Sequence, residues 1–228
     1  MILAIETATP HGSVALVENG VIAAETVLPA GRQGSETLIT AVAGLLDARG
    51  VAPAGISCVA VSAGPGSFTG LRVGMAAAKG YCFGWGLPMA LVSTLEALAS
   101  RFPGERRFIC PVLDARKKEV YAALFRREGG SLLRLSPDLA VPPGALLDRL
   151  PGGEIVFCGD GLRSYGPMLR DRLGERAAFI EGAEGLPSAG AVGVLGERIF
   201  LGGGLSDPRL AVPAYIRPSE AEFKRLLS

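Results

Sequence analysis

The sequence holds one histidine, His11, one tryptophan and only 6% aromatic residues in 228 positions. A lone histidine excludes a multi-histidine metal centre, and any histidine-based triad would have to be built on His11. That residue sits in the turn Ala8-Thr9-Pro10-His11-Gly12 and reads as a surface histidine. An excess of charge of one sign is also missing. With 23 Lys and Arg against 22 Asp and Glu the net charge is +1, which gives no electrostatic basis for strong autonomous binding of nucleic acid. The four cysteines, Cys58, Cys82, Cys110 and Cys158, form no C-x-x-C, so a zinc knuckle and a thioredoxin-like redox pair are excluded. Their apolar neighbours mark them as buried, reduced thiols of an intracellular protein. No apolar run reaches the ~18 residues of a membrane span, and no basic stretch precedes Ile2-Leu3-Ala4-Ile5. A cytoplasmic protein with neither membrane anchor nor secretion signal is expected. No G-x-S-x-G nucleophile elbow occurs, and Ser67 has no histidine in its motif.

What the chain has in excess is glycine, 32 residues, about twice ordinary usage. Hydrophobic residues make up 49%, enough for one large domain or two small lobes. Residues 2–7 form an apolar run too short for a helix. Runs at 13–18 and 21–28 follow, joined by Asn19-Gly20, a strong type I′ hairpin signal. Leu38, Ile39, Val42, Leu45 and Leu46 then recur at helical spacing from Ser35 to Gly50. Strands are predicted at 56–62 and 87–92, with a glycine-rich turn at 64–70 and a helix over about 70–84 between them. Ser93-Thr94-Leu95-Glu96 is a capping box for a further helix ending near Phe102.

Three opening strands followed by β-α units imply a mixed sheet with helices on its faces, the order of the ribonuclease H-like lobe of actin-like ATPases and sugar kinases. The polar run Pro103–Arg107 suggests a boundary, giving lobes of 1–104 and 105–228. In the second lobe strands are predicted at 108–113, 119–126, 131–135 and 154–158, the middle two forming a hairpin across Glu128-Gly129-Gly130. Segment 136–153 reads as irregular. Helices are predicted near 162–173 and 189–201, and Ser219–Leu227 closes the chain behind a second capping box.

The most informative segment is Gly64-Pro65-Gly66-Ser67-Phe68-Thr69-Gly70-Leu71-Arg72-Val73-Gly74, which follows a strand and opens a helix. Free N–H groups at a helix start suit an anion. The segment lacks the Lys-Ser/Thr of a P-loop and the spacing of a dinucleotide fingerprint. Phosphate binding and a purely conformational use of the glycines both stay open. The helix behind it is thin, with Gly74, Ala76, Ala77, Ala78, Gly80 and Gly84. Arg72, Ala76, Lys79 and Phe83 fall on one face, which looks more like an interface than a core stripe. Asp114, Arg116 and Glu119 read as a salt-bridged corner. Gly159-Asp160-Gly161 reads as a strand-to-helix connection or a second nucleotide turn, and Gly202-Gly203-Gly204 as a C-cap.

The run Val61–Gly74 resembles the signature of the bacterial TsaB (YeaZ) family. Ile2–Thr7, Leu113-Asp114-Ala115-Arg116 with Glu119-Val120-Tyr121, and Pro213-Ala214-Tyr215-Ile216-Arg217 fit the same family. The resemblance implies a two-lobed actin-like α/β fold with a degenerate active site and no cofactor. It also implies an accessory subunit, not an enzyme by itself, of the complex that transfers threonylcarbamoyl to adenosine 37 of tRNAs reading codons that start with A. The implied partners are a catalytic paralogue, TsaD, and an ATPase, TsaE, with tRNA met through the complex and a homodimer possible when alone. The pairing surface would lie on helices of the first lobe, carrying Ile39 and Ala43 together with Arg72, Ala76, Lys79, Gly80 and Phe83. Thr7, Gly64, Gly66, Ser67, Thr69 and Gly70 would be a vestigial nucleotide turn. The paralogue's H-x-x-x-H metal pair falls, from the landmarks Pro88 and Val92, on Thr94 and Leu98, neither a useful ligand for iron or zinc. Two departures stand out: Gly34-Ser35-Glu36 where the family has His-Ser-Glu, and Glu6-Thr7 where it has Asp-Thr. An independent actin-like ATPase or kinase is the competing reading. A protease, the old label of the superfamily, lacks a catalytic constellation.

Overall fold

Every residue of Ile2–Glu6 is buried, which requires a sheet covered on both faces, not a strand with one wet side. A computed structural model, describing residues 1–29 and 34–217, shows how the cover is arranged. In chain order the elements are β1 (Ile2–Glu6), β2 (Ser13–Glu18), β3 (Val21–Val27), α1 (Ser35–Arg49), β4 (Cys58–Gly64), α2 (Phe68–Trp85), β5 (Met89–Ser93) and α3 (Thr94–Ser100). There follow β6 (Phe108–Arg116), β7 (Glu119–Ala122), β8 (Phe125–Glu128), β9 (Ser131–Arg134), β10 (Leu139–Val141), α4 (Pro143–Leu147), β11 (Ile155–Cys158), α5 (Leu162–Leu173), β12 (Ala177–Phe179) and α6 (Ala189–Leu201). The chain divides into one unit of Met1–Ala97 with Pro187–Pro213, and a second of Leu98–Leu186 with 214–217 of the described residues.

The first unit is built on a sheet of order β3-β2-β1-β4-β5. β1 pairs antiparallel with β2 and parallel with β4, so hairpins and β-α units share one mixed sheet as the sequence predicts. Leu3, Ile5, Val14 and Leu16 face α1 and α2, packing with Leu38, Val42, Leu45, Met75 and Cys82. Burial of each such side chain contributes about 1.5–3 kcal/mol. That outweighs the few tenths of a kcal/mol forgone at the start of α1, where Gly34 stands at the N-cap without a capping side chain. The opposite face of the sheet carries Ile2, Ala4, Ala15, Val17, Ala60 and Ala90, and α6 covers it with Val192 and Leu195. Small side chains on the sheet let this helix approach unusually closely. A Cβ on Gly193 would stand 2.5 Å from Val17 Cγ2, and one on Gly196 2.3 Å from Ala60 Cβ. Part of the glycine excess therefore belongs to α6. Glu197 of α6 also accepts hydrogen bonds from the backbone N–H groups of Asn19 and Gly20, fixing the β2–β3 turn.

The second unit has a sheet whose main path runs β10-β7-β6-β11-β12, with β8 and β9 branching from β6. Its core joins Cys110, Val112, Val120, Ala122, Ile155 and Phe157 to Leu162 and Leu169 of α5 and Leu146 of α4. All four thiols are buried and free. Burial pushes Cys58 and Cys110 up to about 12, Cys82 up to about 11, and Cys158 well above its usual range. Since the thiolate is the reactive form, Ellman's reagent is expected to label none of them in the native chain within minutes and all four after unfolding.

Several expectations need correction. The boundary falls between Ala97 and Leu98, not at 104/105, and the 189–201 helix belongs to the first unit. The polar run at 103–107 is a local turn in which Glu105 pairs with Arg107 at 2.8 Å and accepts from the Arg106 and Arg107 N–H groups. The helix covering the far face of the first sheet is supplied by distant sequence. The strand predicted at 119–126 is two, β7 and β8, the first paired with β6 and β10 and the second with β6 and β9. Segment 136–153 contains β10 and α4, and β12 was not predicted. The closing helix at Ser219–Leu227 lies outside the described residues.

Candidate functional site

α1 and α2 lie side by side on one face of the first sheet, and their inner residues are committed to its core. What remains outward is a face of small and apolar groups. Ile39 on α1 is 52% exposed and Phe83 on α2 is 60% exposed. Ala43, Arg72, Ala76 and Gly80 are exposed and Lys79 is half-buried. The Arg72 guanidinium lies 5.8 Å from the Phe68 ring centroid. Around Gly80 and Gly84 nothing lies within 4 Å of where a Cβ would stand. All seven residues expected at a pairing surface thus lie on two adjacent helices, and none is fully buried.

The glycine turn behaves differently. Ser67 caps α2 with its own side chain, accepting from the Gly70 N–H at 3.3 Å. The Ser67 N–H donates to the Ala8 carbonyl at 2.7 Å. Thr7 Oγ1 donates to the Gly70 carbonyl at 2.8 Å, and the Thr7 N–H reaches Ser62 Oγ at 3.4 Å. A Cβ on Gly66 would stand 2.5 Å from Ala8 O, one on Gly70 2.0 Å from Thr7 O, and one on Gly74 2.1 Å from Thr7 Oγ1. The space beside these glycines is filled by the chain's own Thr7-Ala8, which locks the end of β1 onto the start of α2. Gly64 is buried at the end of β4, and Thr69 is exposed. Glu6 Oε1 accepts from the Ala8 N–H at 2.6 Å, so the acidic residue closing β1 helps shape the same joint. His11 is exposed, as a turn histidine should be.

Thr94 and Leu98, at the positions the family resemblance aligns with a metal pair, are both buried. The Thr94 hydroxyl has no hydrogen-bond partner. One neutral hydroxyl and a hydrocarbon side chain do not fit an iron or zinc ion, and no metal-dependent step is assigned to this chain. Among the described residues no group of three or more His, Cys, Asp and Glu could hold a metal ion.

In the second unit Arg116 pairs with Asp114 at 3.3 Å, and Glu119 pairs with Arg217, so the expected salt-bridged corner forms. Asp160 joins it, its Oδ1 accepting from the Asp114 N–H at 3.1 Å. Gly159 and Gly161 rest against the Val112 carbonyl, as a close strand-to-helix connection requires. The corner expected between the strands at 108–113 and 119–126 is a two-residue turn at Lys117-Lys118 joining β6 and β7, a tightness that its residues do not announce.

The mixed sheet with its leading hairpins, the β-α units and the second sheet define a two-lobed α/β protein of the actin-like, ribonuclease H-like class. The activator of the 2-hydroxyisocaproyl-CoA dehydratase from Clostridium difficile shares this fold at a TM-score of 0.52 and 12% identity, over 90% of this chain and 98% of its own. The family model for TsaD, tRNA N6-adenosine threonylcarbamoyltransferase, matches residues 24–158. The tRNA threonylcarbamoyladenosine biosynthesis protein TsaB of Bacillus subtilis is 31% identical over 98% of this chain and 96% of its own length. Among solved structures, YeaZ from Pseudomonas aeruginosa matches at a TM-score of 0.81 and 27% identity, covering 94% of this chain and 99% of that one. The chain belongs to the TsaB (YeaZ) family of tRNA threonylcarbamoyladenosine biosynthesis proteins.

Proposed function

We propose that the chain is the non-catalytic pairing subunit of a cytoplasmic assembly that transfers threonylcarbamoyl to adenosine 37 of tRNAs reading codons that start with A. Its partner in this reading is a TsaD-like catalytic paralogue, held through the outward face of α1 and α2. A TsaE-like ATPase joins the pair. The observation that carries the reading is the exposure of Ile39, Ala43, Ala76, Gly80 and Phe83 on neighbouring helices. Small residues let a partner backbone come close, and the two aromatic and aliphatic side chains supply anchors. The same face can pair with a second copy of the chain by a two-fold contact when the paralogue is absent. The turn filled by Thr7-Ala8, and Thr94 and Leu98 in place of ligands, support a subunit without chemistry of its own.

Reconstitution of tRNA modification with and without this chain tests the reading. The chain is expected to co-elute with the paralogue on a sizing column, and modification is expected to need it. Full modification in its absence would overturn the proposal, as would tight ATP-magnesium binding and hydrolysis by the purified chain.

A further inference from the structure

α2 carries charge of one sign only. Its 18 residues include Arg72 and Lys79 and no aspartate or glutamate. The two cations are placed differently. The Arg72 guanidinium lies over the Phe68 ring. Lys79 stands on the shoulder of the helix, half-buried, with buried Met75 one turn back and exposed Phe83 one turn on. Among the described residues no carboxylate pairs with its ammonium. The neighbouring α1 has two acids, Glu36 in its first turn and Asp47 near its end, and neither reaches Lys79. Between them the outward positions of α1, Ile39, Thr40, Ala43 and Gly44, are uncharged.

On the pairing-subunit reading a partner closes over α1 and α2, and Lys79 is enclosed with them. Lysine is depleted from the cores of protein contacts. An ammonium shut away from water without a counter-charge weakens such a contact steeply. α2 has no carboxylate to give and α1 brings none within reach, so the counter-charge has to come from the partner. A second copy is poorly equipped to supply it. In a two-fold contact the opposing surface is the same face. Its α2 adds only further cations, and its α1 presents an uncharged middle. Like charges set against each other disfavour that pairing.

We propose that Lys79 selects the partner of this face: its ammonium donates to a carboxylate of the TsaD-like paralogue, and the face takes that acid-bearing partner in preference to a second copy of the chain. The assignment rests on the pairing-subunit reading and adds the chemistry its partner must present. The apolar and small residues around Lys79 set how closely the two surfaces approach, and the lysine decides which surface is accepted.

The test uses the full chain and the TsaD-like paralogue, with Lys79→Met, which keeps the stem and drops the charge, and Lys79→Arg, which keeps the charge. Lys79 is not part of the core, so the melting temperature is expected to hold in both variants. Affinity for the paralogue is expected to fall on the order of thirtyfold or more in Lys79→Met, the scale of losing one member of an enclosed charge pair. It is expected to stay near the wild-type value in Lys79→Arg. In sedimentation the wild-type chain alone is expected to associate with itself more weakly than with the paralogue. Equal affinity of Lys79→Met and wild type overturns the carboxylate contact and leaves the pairing reading standing. So does an equal loss in both variants, which would make the shape of lysine the requirement. A fall in the melting temperature of Lys79→Met would make the side chain structural and also overturn the contact. Self-association as tight as binding to the paralogue overturns the choice of partner. Should the wild-type chain and the paralogue not associate at all, the pairing reading falls and this assignment falls with it.

Discussion

Replacing Ala76 with arginine is expected to leave the chain folded and to abolish its proposed association with the catalytic paralogue. Position 76 is exposed on α2, and an exposed substitution of a good helix former costs the fold under ~0.5 kcal/mol. The consequence falls on the partner. The new guanidinium sits between Arg72 and Lys79, one turn away on either side, and occupies the space an incoming backbone would need. An unpaired charge held in a closely packed contact costs several kcal/mol, and each 1.4 kcal/mol is tenfold in affinity. A loss on the order of a thousandfold or more is expected, read as separate elution of the two proteins and as lost tRNA modification. Leu201→Arg is the control. Leu201 is 77% exposed but lies on α6, against the opposite face of the sheet. Association is expected to survive there, and equal loss in both variants would sink the assignment of the pairing face.

Substituting Gly70 by alanine separates the two uses of the glycine turn. The added Cβ would stand 2.0 Å from the Thr7 carbonyl oxygen, a backbone atom that cannot swing aside. The Thr7 Oγ1 hydrogen bond to the Gly70 carbonyl is disturbed by the same shift. Overpacking costs about 1–3 kcal/mol and a buried hydrogen bond about 1. At roughly 2–4 °C per kcal/mol for a chain of this size, the melting temperature is expected to fall by about 4–16 °C. Gly80→Ala, with open space around it, is expected to raise it slightly, because alanine is the better helix former by up to about 1 kcal/mol. If Gly70→Ala instead melts like the wild type and loses nucleotide binding, the turn is a phosphate cradle and the joint described above is incidental.

Much of the first unit was legible because its signals are local. Asn19-Gly20 announces its turn, the spacing Leu38-Val42-Leu45 announces α1, and Ser93 with Glu96 announces the start of α3, where Ser93 Oγ accepts from the Glu96 N–H. The outward face of α2 followed from spacing alone. Three things were not legible. Whether Gly66, Gly70 and Gly74 face an anion or the chain itself depends on where Thr7 and Ala8 come to rest, about 60 residues away in sequence. Assigning α6 to the first sheet depends on Ala4, Ala15, Ala60 and Ala90 sharing a face, which no single window displays. The corner at Asp114–Glu119 was legible but its two-residue, positive-φ form was not, because Lys117-Lys118 contradicts the residue preference by which such turns are recognised. The places where local rules fail are thus a close-packed joint, a long-range return and a strained charged turn.

The return of α6 has a bearing on synthesis. Ile2, Ala4 and Val17 leave the ribosome well before the helix that shields them, which follows Leu186. At about 5–20 residues per second, the intervening stretch Leu98–Leu186 takes roughly 5–20 s to emerge. Throughout that interval one apolar face of the nascent sheet is bare. The lobe begun first is closed only after Leu98–Leu186 of the second has been made, and a ribosome stalled before Ala189 leaves a polypeptide that chaperones must hold and proteases will recognise.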